Sequence, residues 1–294
     1  MKKNLDVVSV SLLLFLCASW GLNQVAIKAA VAEIPPVLQA AVRSVGSGLL
    51  LFAWMRFKKI PIFNSDGTLK WGLLVGGLFT MEFILIFWGL EYTTASRSVI
   101  FLNTAPFVVA LGAQFLIPGE GLTPMKITGL LLAFAGIVFA FNDDLGTAGA
   151  STLTGDIMLL AAAVLWGLTT ICIKISPLAR IPAAKTLLYQ LTISSVGMSV
   201  LSVVMGESLP GMPGGVALFS IGYQIIWVAF FTYLVWFWLL TVYPASLLAP
   251  FMFLTPLFGV LAGALLLGEP LTLHLMGALA LVATGIYLVN RKEG

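Results

Sequence analysis

Two apolar segments, half a chain apart, carry the same pattern of one aromatic, two polar and one branched side chain. At helical spacing this face consists of Trp20, Asn23, Gln24 and Ile27 in one segment, and of Trp166, Thr169, Thr170 and Ile173 in the other. Amide and hydroxyl groups are costly in lipid, so both faces are predicted to point into the protein. There the polar groups either contact a solute or join helices by hydrogen bonds, and the sequence leaves both readings open.

Glu82 is an acidic side chain deep within an apolar segment, and Phe83 follows it. A charge at membrane depth is costly, so a carboxylate there is a candidate functional group. Three roles stay open for Glu82: proton coupling, pairing with a solute ammonium, or a structural ion pair with Arg43 or Arg97. Arg43 is expected to pair within the protein, whereas Arg97, near a segment end, is expected to extend toward the interface. Phe83 is assigned to the same cavity as Glu82.

The eighth apolar segment is rich in aromatic side chains, including Tyr233 and Trp236. Together with Trp20 and Trp166 they would form a wall on which apolar or aromatic solutes stack and which attracts cations. Packing against lipid or other helices is the competing interpretation.

Pro106 and Pro256 lie within apolar segments, where each removes a backbone hydrogen bond and frees a carbonyl group. Both are predicted to be structural helix breaks. Asn103, one turn before Pro106, is predicted to lie at this opening and to line the cavity.

The elements that must position these side chains are apolar helices. The 294 residues are 60% hydrophobic and 9% charged, whereas average soluble chains carry about 25% charged residues. An all-α polytopic membrane protein is therefore predicted, with about 20 residues per span. The ten predicted spans are approximately 7–28, 36–56, 70–90, 96–117, 124–141, 154–175, 184–205, 217–240, 244–267 and 270–290.

The two halves of the chain resemble each other. Trp20-Gly21 reappears half a chain later as Trp166-Gly167, and the pattern of residues 88–106 reappears at 238–256. A repeat on this scale determines the architecture of a membrane protein before local detail does.

The repeat divides the chain into residues 1–145 and 146–294, with five predicted helices in each part. An odd number of spans makes the second copy enter the membrane from the opposite side, so a 5+5 inverted repeat is predicted. Most of the 15 Lys and Arg side chains fall in loops on the side of the N-terminus. The positive-inside rule then places both termini in the cytoplasm.

These patterns resemble the EamA-type family of the drug/metabolite transporter superfamily. The resemblance is carried by the two Trp-Gly pairs and by Gly119-Glu120 and Gly268-Glu269 near the end of each half. Within the family, the chain is most similar to bacterial aromatic amino-acid and methyl viologen exporters. The resemblance implies an exporter of small metabolites in a bacterial-type inner membrane, with a central cavity built from both halves. It also implies that the two Gly-Glu carboxylates are structural.

The predicted function is secondary export of amino acids, aromatic or apolar ones and threonine among them, by alternating access. One alternative is a cationic multidrug or methyl viologen exporter coupled to protons through Glu82, and another is a facilitative channel. The expected partners are a small-molecule solute and the lipid bilayer, without nucleic acid, in a monomer or weak homodimer.

Enzymatic roles are not predicted from this sequence. It has one His and two Cys, both of the latter within apolar runs, and no phosphate-binding glycine loop. No catalytic residue, metal ligand or cofactor is expected.

Overall fold

The computed structural model describes residues 5–31, 33–64, 66–93, 95–140, 150–267 and 273–291. Within these ranges every regular element is helical. The α-helices are α1 (Val7–Ala30), α2 (Pro36–Phe57), α3 (Leu69–Tyr92), α4 (Ala95–Leu102), α5 (Ala105–Leu116), α6 (Pro124–Ala140), α7 (Ala150–Ile175), α8 (Ala183–Val204), α9 (Gly215–Gly222), α10 (Tyr233–Val242), α11 (Ala245–Leu248), α12 (Leu254–Leu267) and α13 (Leu273–Asn290). Two 3-10 turns, Pro177–Arg180 and Ala249–Phe253, and a π-helical segment, Tyr223–Thr232, join some of them.

Many of these helices are long and apolar enough to cross a membrane. Eight such stretches occur in the described ranges: Val7–Ala30, Pro36–Phe57, Leu69–Leu90, Arg97–Leu116, Thr152–Ile175, Ala183–Val204, Gly215–Val242 and Ala245–Leu266. Two shorter apolar helices, Pro124–Ala140 and Met276–Asn290, accompany them. The chain is therefore a polytopic membrane protein, as its composition predicts.

The predicted span 96–117 is interrupted. α4 ends at Leu102 and α5 begins at Ala105, so Pro106 lies in the first turn of α5, where its missing N–H breaks no helical bond. The amide nitrogen of Asn103 donates back to the carbonyl of Val99 at 2.7 Å. In the second half the interruption is the 3-10 turn Ala249–Phe253, and Pro256 lies in the first turn of α12.

The chain forms two compact units. The first unit comprises Met1–Gly21, Met81–Ile171 and Val242–Gly294, and the second unit comprises Leu22–Thr80 and Cys172–Thr241. Each unit contains segments from both halves of the sequence. The sequence repeat and the compact units therefore divide the chain differently.

In the first unit the glycine of each Trp-Gly pair permits close helix contact. A Cβ on Gly21 of α1 would lie 2.6 Å from the backbone nitrogen of Gly259 on α12. A Cβ on Gly167 of α7 would lie 2.5 Å from Val108 on α5. The first helix of each half thus packs on the fourth predicted span of the other half.

The first unit also contains a tightly packed antiparallel pair, α6 and α13. A Cβ on Gly129 would lie 2.6 Å from the carbonyl oxygen of Gly285, and a Cβ on Gly136 would lie 2.9 Å from that of Ala278. Small residues bring these two backbones together, as is common where helices associate in membranes.

In the second unit α8 packs on both α2 and the first half of α3. Gly72 and Gly76 of α3 receive the side chains of Tyr189 and Ile193, one turn apart on α8. One turn further, Gly197 of α8 receives the side chain of Thr80. The steady register of these contacts shows that α3 and α8 run parallel here.

Candidate functional site

The polar face predicted on α1 is only partly buried. Asn23 is 7% exposed, and its Oδ1 atom makes no hydrogen bond to any residue in the described ranges. Trp20 is half-buried, whereas Gln24 is exposed. Of the predicted polar pair, Asn23 is thus the buried member with unused hydrogen-bonding capacity.

The corresponding face of α7 is more buried. Thr169 and Thr170 are both buried, and Trp166 is half-buried. The hydroxyl of Thr169 donates to the carbonyl of Leu165 at 2.9 Å, so its proton is used within its own helix. Its oxygen can still accept a hydrogen bond.

Glu82 on α3 and Asn103, between α4 and α5, both belong to the first unit and are buried. Phe83 is half-buried. The burial agrees with an interior position for these residues, and the amide of Asn103 is bonded to the helix turn that precedes it.

Arg97 is buried and does not extend to an interface, in contrast to the expectation from sequence. Its Nε donates to Oδ1 of Asp156 at 3.1 Å, and its Nη2 pairs with Oδ2 of the same carboxylate. Thr93 adds a hydrogen bond of 2.8 Å to Oδ1. This bidentate pairing provides hydrogen-bond acceptors for the buried guanidinium, so Arg97 does not need to reach water.

Sequence reasoning missed Asp156, although it stands within an apolar run near the start of α7. The backbones of α7 and α3 come close together next to Asp156, which explains why a glycine, Gly155, precedes it. A Cβ on Gly155 would lie 2.6 Å from the carbonyl oxygen of Gly89. The available signal was a carboxylate following a glycine at the start of a predicted span.

In the second unit, the aromatic side chains pack mainly on one another. The ring of Tyr233 meets that of Phe79 edge-on at 6.4 Å, and the ring of Trp54 meets that of Phe230 edge-on at 6.3 Å. Trp236 is buried. Edge-on geometry is one of the favourable arrangements for aromatic side chains that pack on one another.

A buried chain of amides, also missed from sequence, runs through the second unit. The Nε2 of Gln224, in the π-helical segment, donates to Oε1 of Gln39 at 3.0 Å. Gln39 in turn donates to the carbonyl of Ile34 at 2.8 Å. Glutamines within apolar spans were the available signal, since such amides need partners.

Hydroxyl contacts continue this polar interior between α2 and its neighbours. Ser44 on α2 and Ser194 on α8 are 3.0 Å apart at their oxygens. The hydroxyl oxygen of Ser47 lies 3.3 Å from the carbonyl oxygen of Ile225, which belongs to the π-helical segment. Such segments occur frequently at functional sites. The α2–α8 contact is thus partly polar in a unit of apolar helices.

Charged groups also secure the helix ends. Lys185 at the start of α8 donates to Asp66 at 2.7 Å and to Asn64 at 2.6 Å. The hydrogen bond from Lys185, helped by one from Thr68, holds the pKa of the Asp66 carboxyl well below its usual value. The carboxylate of Glu207 accepts the backbone N–H of Leu38 at 2.6 Å, at the positive end of α2.

Glu120, which the family resemblance predicts to be structural, is buried. Its Oε2 accepts hydrogen bonds from the backbone nitrogen and the hydroxyl of Ser246, both at 3.2 Å, at the start of α11. Glu269, in the matching Gly-Glu pair, lies outside the described residues.

In the described ranges no group of three or more His, Cys, Asp or Glu side chains is arranged to hold a metal ion. Cys17 donates to the carbonyl of Phe251 at 3.1 Å, and neither Cys17 nor Cys172 is in a disulfide.

Comparison with known proteins gives a consistent result. The sequence profile of the EamA-like transporter family matches residues 8–142 and, a second time, residues 153–291. An uncharacterized transporter of Bacillus subtilis is 33% identical, over 96% of this chain and 91% of its own. A probable amino-acid metabolite efflux pump of Escherichia coli K12 is 29% identical, over 94% and 93%. One solved crystal structure matches with a TM-score of 0.81 at 19% identity, covering 96% of both chains, which shows a shared fold.

Proposed function

The chain belongs to the EamA-like transporter family, and we propose that it exports small metabolites, with aromatic or apolar amino acids and threonine as the first candidates. The observation that carries the proposal is the match of one transporter family profile to each half of the chain. Support for the substrate class comes from similarity to the probable amino-acid metabolite efflux pumps of Escherichia coli and Salmonella typhimurium.

The proposed architecture is ten spans in two inverted five-helix repeats, residues 1–145 and 146–294, with both termini in the cytoplasm of a bacterial-type cell. The reciprocal contacts of Gly21 with Gly259 and of Gly167 with Val108 support it, since equivalent helices make equivalent contacts. Inverted repeats of this kind alternate access by moving against each other around a central site.

The proposed solute cavity is lined by residues from both halves. Support comes from the burial of most of its polar members and from the unused Oδ1 of Asn23. The proposed lining is Trp20, Asn23, Gln24, Glu82, Phe83, Asn103, Trp166, Thr169, Thr170, Tyr233 and Trp236, with Pro106 and Pro256 at the helix breaks.

The test is solute counterflow into proteoliposomes that contain the purified protein. We expect saturable exchange of phenylalanine or threonine, and Asn23→Val should raise the KM of this exchange because it removes the amide. Thr284→Val is the matched control, since Thr284 is exposed and its hydroxyl donates to the carbonyl of Ala280 in its own helix. Absence of exchange for every standard amino acid would remove this substrate class, and flux without saturation would favour a channel.

A second candidate, proton-coupled export of organic cations, is favoured by the buried carboxylate of Glu82. A pH gradient across the same proteoliposomes should then drive methyl viologen transport, and Glu82→Gln should abolish that drive. Unchanged pH-driven transport in Glu82→Gln would exclude the coupling role.

A further inference from the structure

The helix packing of the second unit leaves the side-chain amide of Gln190 without a hydrogen-bond partner among the described residues. Gln190 on α8 is 0% exposed, and neither its Oε1 nor its Nε2 makes a hydrogen bond to a residue in the described ranges. Thr186 and Ser194, one turn to either side, are also buried. Gln190 therefore lies in a polar stripe of α8 where its amide has lost water and gained no partner, which is unfavourable.

Gln224 shows that the same unit can satisfy a buried amide. It is 1% exposed, and its Nε2 donates to Oε1 of Gln39. Among the described residues, the second unit thus holds three almost fully buried glutamines. Gln39 and Gln224 are bonded to each other, whereas Gln190 makes no side-chain hydrogen bond to a described residue. The difference lies in the present arrangement of the helices and not in the residue type.

Gln190 holds the position in the second half that Arg43 holds in the first. The dipeptide Ile34-Pro35 precedes α2 as Ile181-Pro182 precedes α8, and the count from each proline reaches Arg43 and Gln190 respectively. The same register makes Ser194 the equivalent of Ser47.

These equivalent serines make different hydrogen bonds. The hydroxyl of Ser47 donates to its own helix at the carbonyl of Arg43, and it also lies 3.3 Å from the carbonyl of Ile225. The hydroxyl of Ser194 instead bonds across to Ser44 on α2. Equivalent polar positions on α2 and α8 therefore differ in their hydrogen bonding.

We propose that α8 has a second arrangement against α2, in which the Gln190 amide is hydrogen-bonded, and that Gln190 shifts the equilibrium toward that arrangement. The proposal rests on the proposed function, because the exchange between arrangements is the alternating-access movement. An amide that is paired in only one of two states favours that state by its difference in hydrogen bonding.

Disulfide cross-linking measures the population of the present arrangement directly. In the full chain, with Cys17 and Cys172 replaced by alanine, Ser44→Cys and Ser194→Cys place two thiols where the serine oxygens are 3.0 Å apart. We expect Gln190→Leu to raise the ratio of cross-linkable to non-cross-linkable protein about fivefold or more, because leucine removes the unpaired amide. An unchanged or lower ratio would overturn the proposal.

The matched control is Gln224→Leu in the same cysteine background. It breaks a hydrogen bond of the present arrangement, so the cross-linked fraction should not rise. A rise of the same size in both variants would contradict the proposal, since it would reflect added apolar character alone. A Gln190→Leu protein that fails to fold would contradict it as well, because the substitution should favour the arrangement described here.

Transport separates this inference from a direct solute contact. In counterflow, Gln190→Leu should lower the maximal rate severalfold while Gln190→Asn, which keeps an amide, retains more of it. A rise in KM with an unchanged maximal rate would instead make Gln190 a solute ligand and overturn the proposal. If the wild type exchanges no amino acid, the proposed substrate class fails, and the cross-linking ratio still decides the role of Gln190.

Discussion

The two compact units stabilise their helix contacts by different means. In the first unit, α6 and α13 meet through glycines with their backbones in contact, and the bidentate ion pair Arg97–Asp156 is buried. In the second unit, α2 and α8 meet through hydroxyl groups, and amides lie nearby. Backbone contacts tolerate little displacement, whereas hydroxyl and amide groups can exchange partners. The comparison assigns rigidity to the α6–α13 contact of the first unit and adjustable contacts to the α2–α8 pair of the second unit.

The largest expected effect on stability comes from removing the Asp156 carboxylate in the first unit. Asp156→Ala should lower the free energy of unfolding by about 3–5 kcal/mol, because it leaves the Arg97 guanidinium buried without its partner. Thermal unfolding in detergent micelles measures the loss. The double variant Arg97→Met/Asp156→Leu should recover much of it, because no buried charge then remains, and a double variant worse than Asp156→Ala would contradict the ion-pair account.

The second-largest expected effect on stability comes from placing a bulky residue in the α6–α13 contact. Gly285→Leu should cost about 1–3 kcal/mol or more, because a side chain there meets the backbone of Gly129 and Ala133. Gly77→Ala is the control, since a Cβ on Gly77 of α3 meets nothing within 4 Å among the described residues. Thermal unfolding in detergent micelles is the measurement. Equal unfolding midpoints for Gly285→Leu and wild type would show that the α6–α13 contact can yield and is not rigid.

Hydrogen bonds of the second unit should each contribute less. A double-mutant cycle with Ser44→Ala and Ser194→Ala should give a coupling free energy of about 1 kcal/mol, the usual net value for one hydrogen bond. Unfolding midpoints of the two single variants and the double variant supply the cycle. Strictly additive losses would mean that the two hydroxyls do not interact.

The smallest expected effect depends on pH. Because hydrogen bonding to Lys185 lowers the pKa of Asp66 in the folded state, the pair stabilises the protein above the ordinary Asp pKa of about 3.9, and this contribution is lost as the pH falls below that value. Asp66→Asn should therefore cost about 1 kcal/mol at pH 7 and progressively less below about pH 4. The loss is small because Asn64 continues to accept from Lys185. A constant difference between pH 7 and pH 3 would contradict this assignment.

Hydropathy predicted most of the helical spans, because burial in lipid imposes length and composition on each of them. The family assignment from the duplicated Trp-Gly pairs is confirmed. The breaks inside spans were less accessible to prediction. Pro106 correctly indicated a break close to the start of α5. In the second half, the interruption is a 3-10 turn, Ala249–Phe253, that ends before Pro256.

The candidate site illustrates a different limit. Helical periodicity placed Asn23 and Gln24 on one face, yet only Asn23 is buried, because adjacent positions on a helix differ by about 100° in direction. Residue type could not show that Gln224 is paired and Gln190 is not. That distinction depends on which carbonyl or amide lies opposite each side chain, which only the packed helices determine.

The reciprocal packing of Gly21 against Gly259 has a consequence for biosynthesis. α1 is synthesised long before its close partner α12, so this contact forms only after the helices between them have been made. Until α12 is inserted, we expect the face of α1 around Gly21 to be exposed to lipid. If the two halves are expressed as separate chains, we expect them to assemble only when both are made in the same cell.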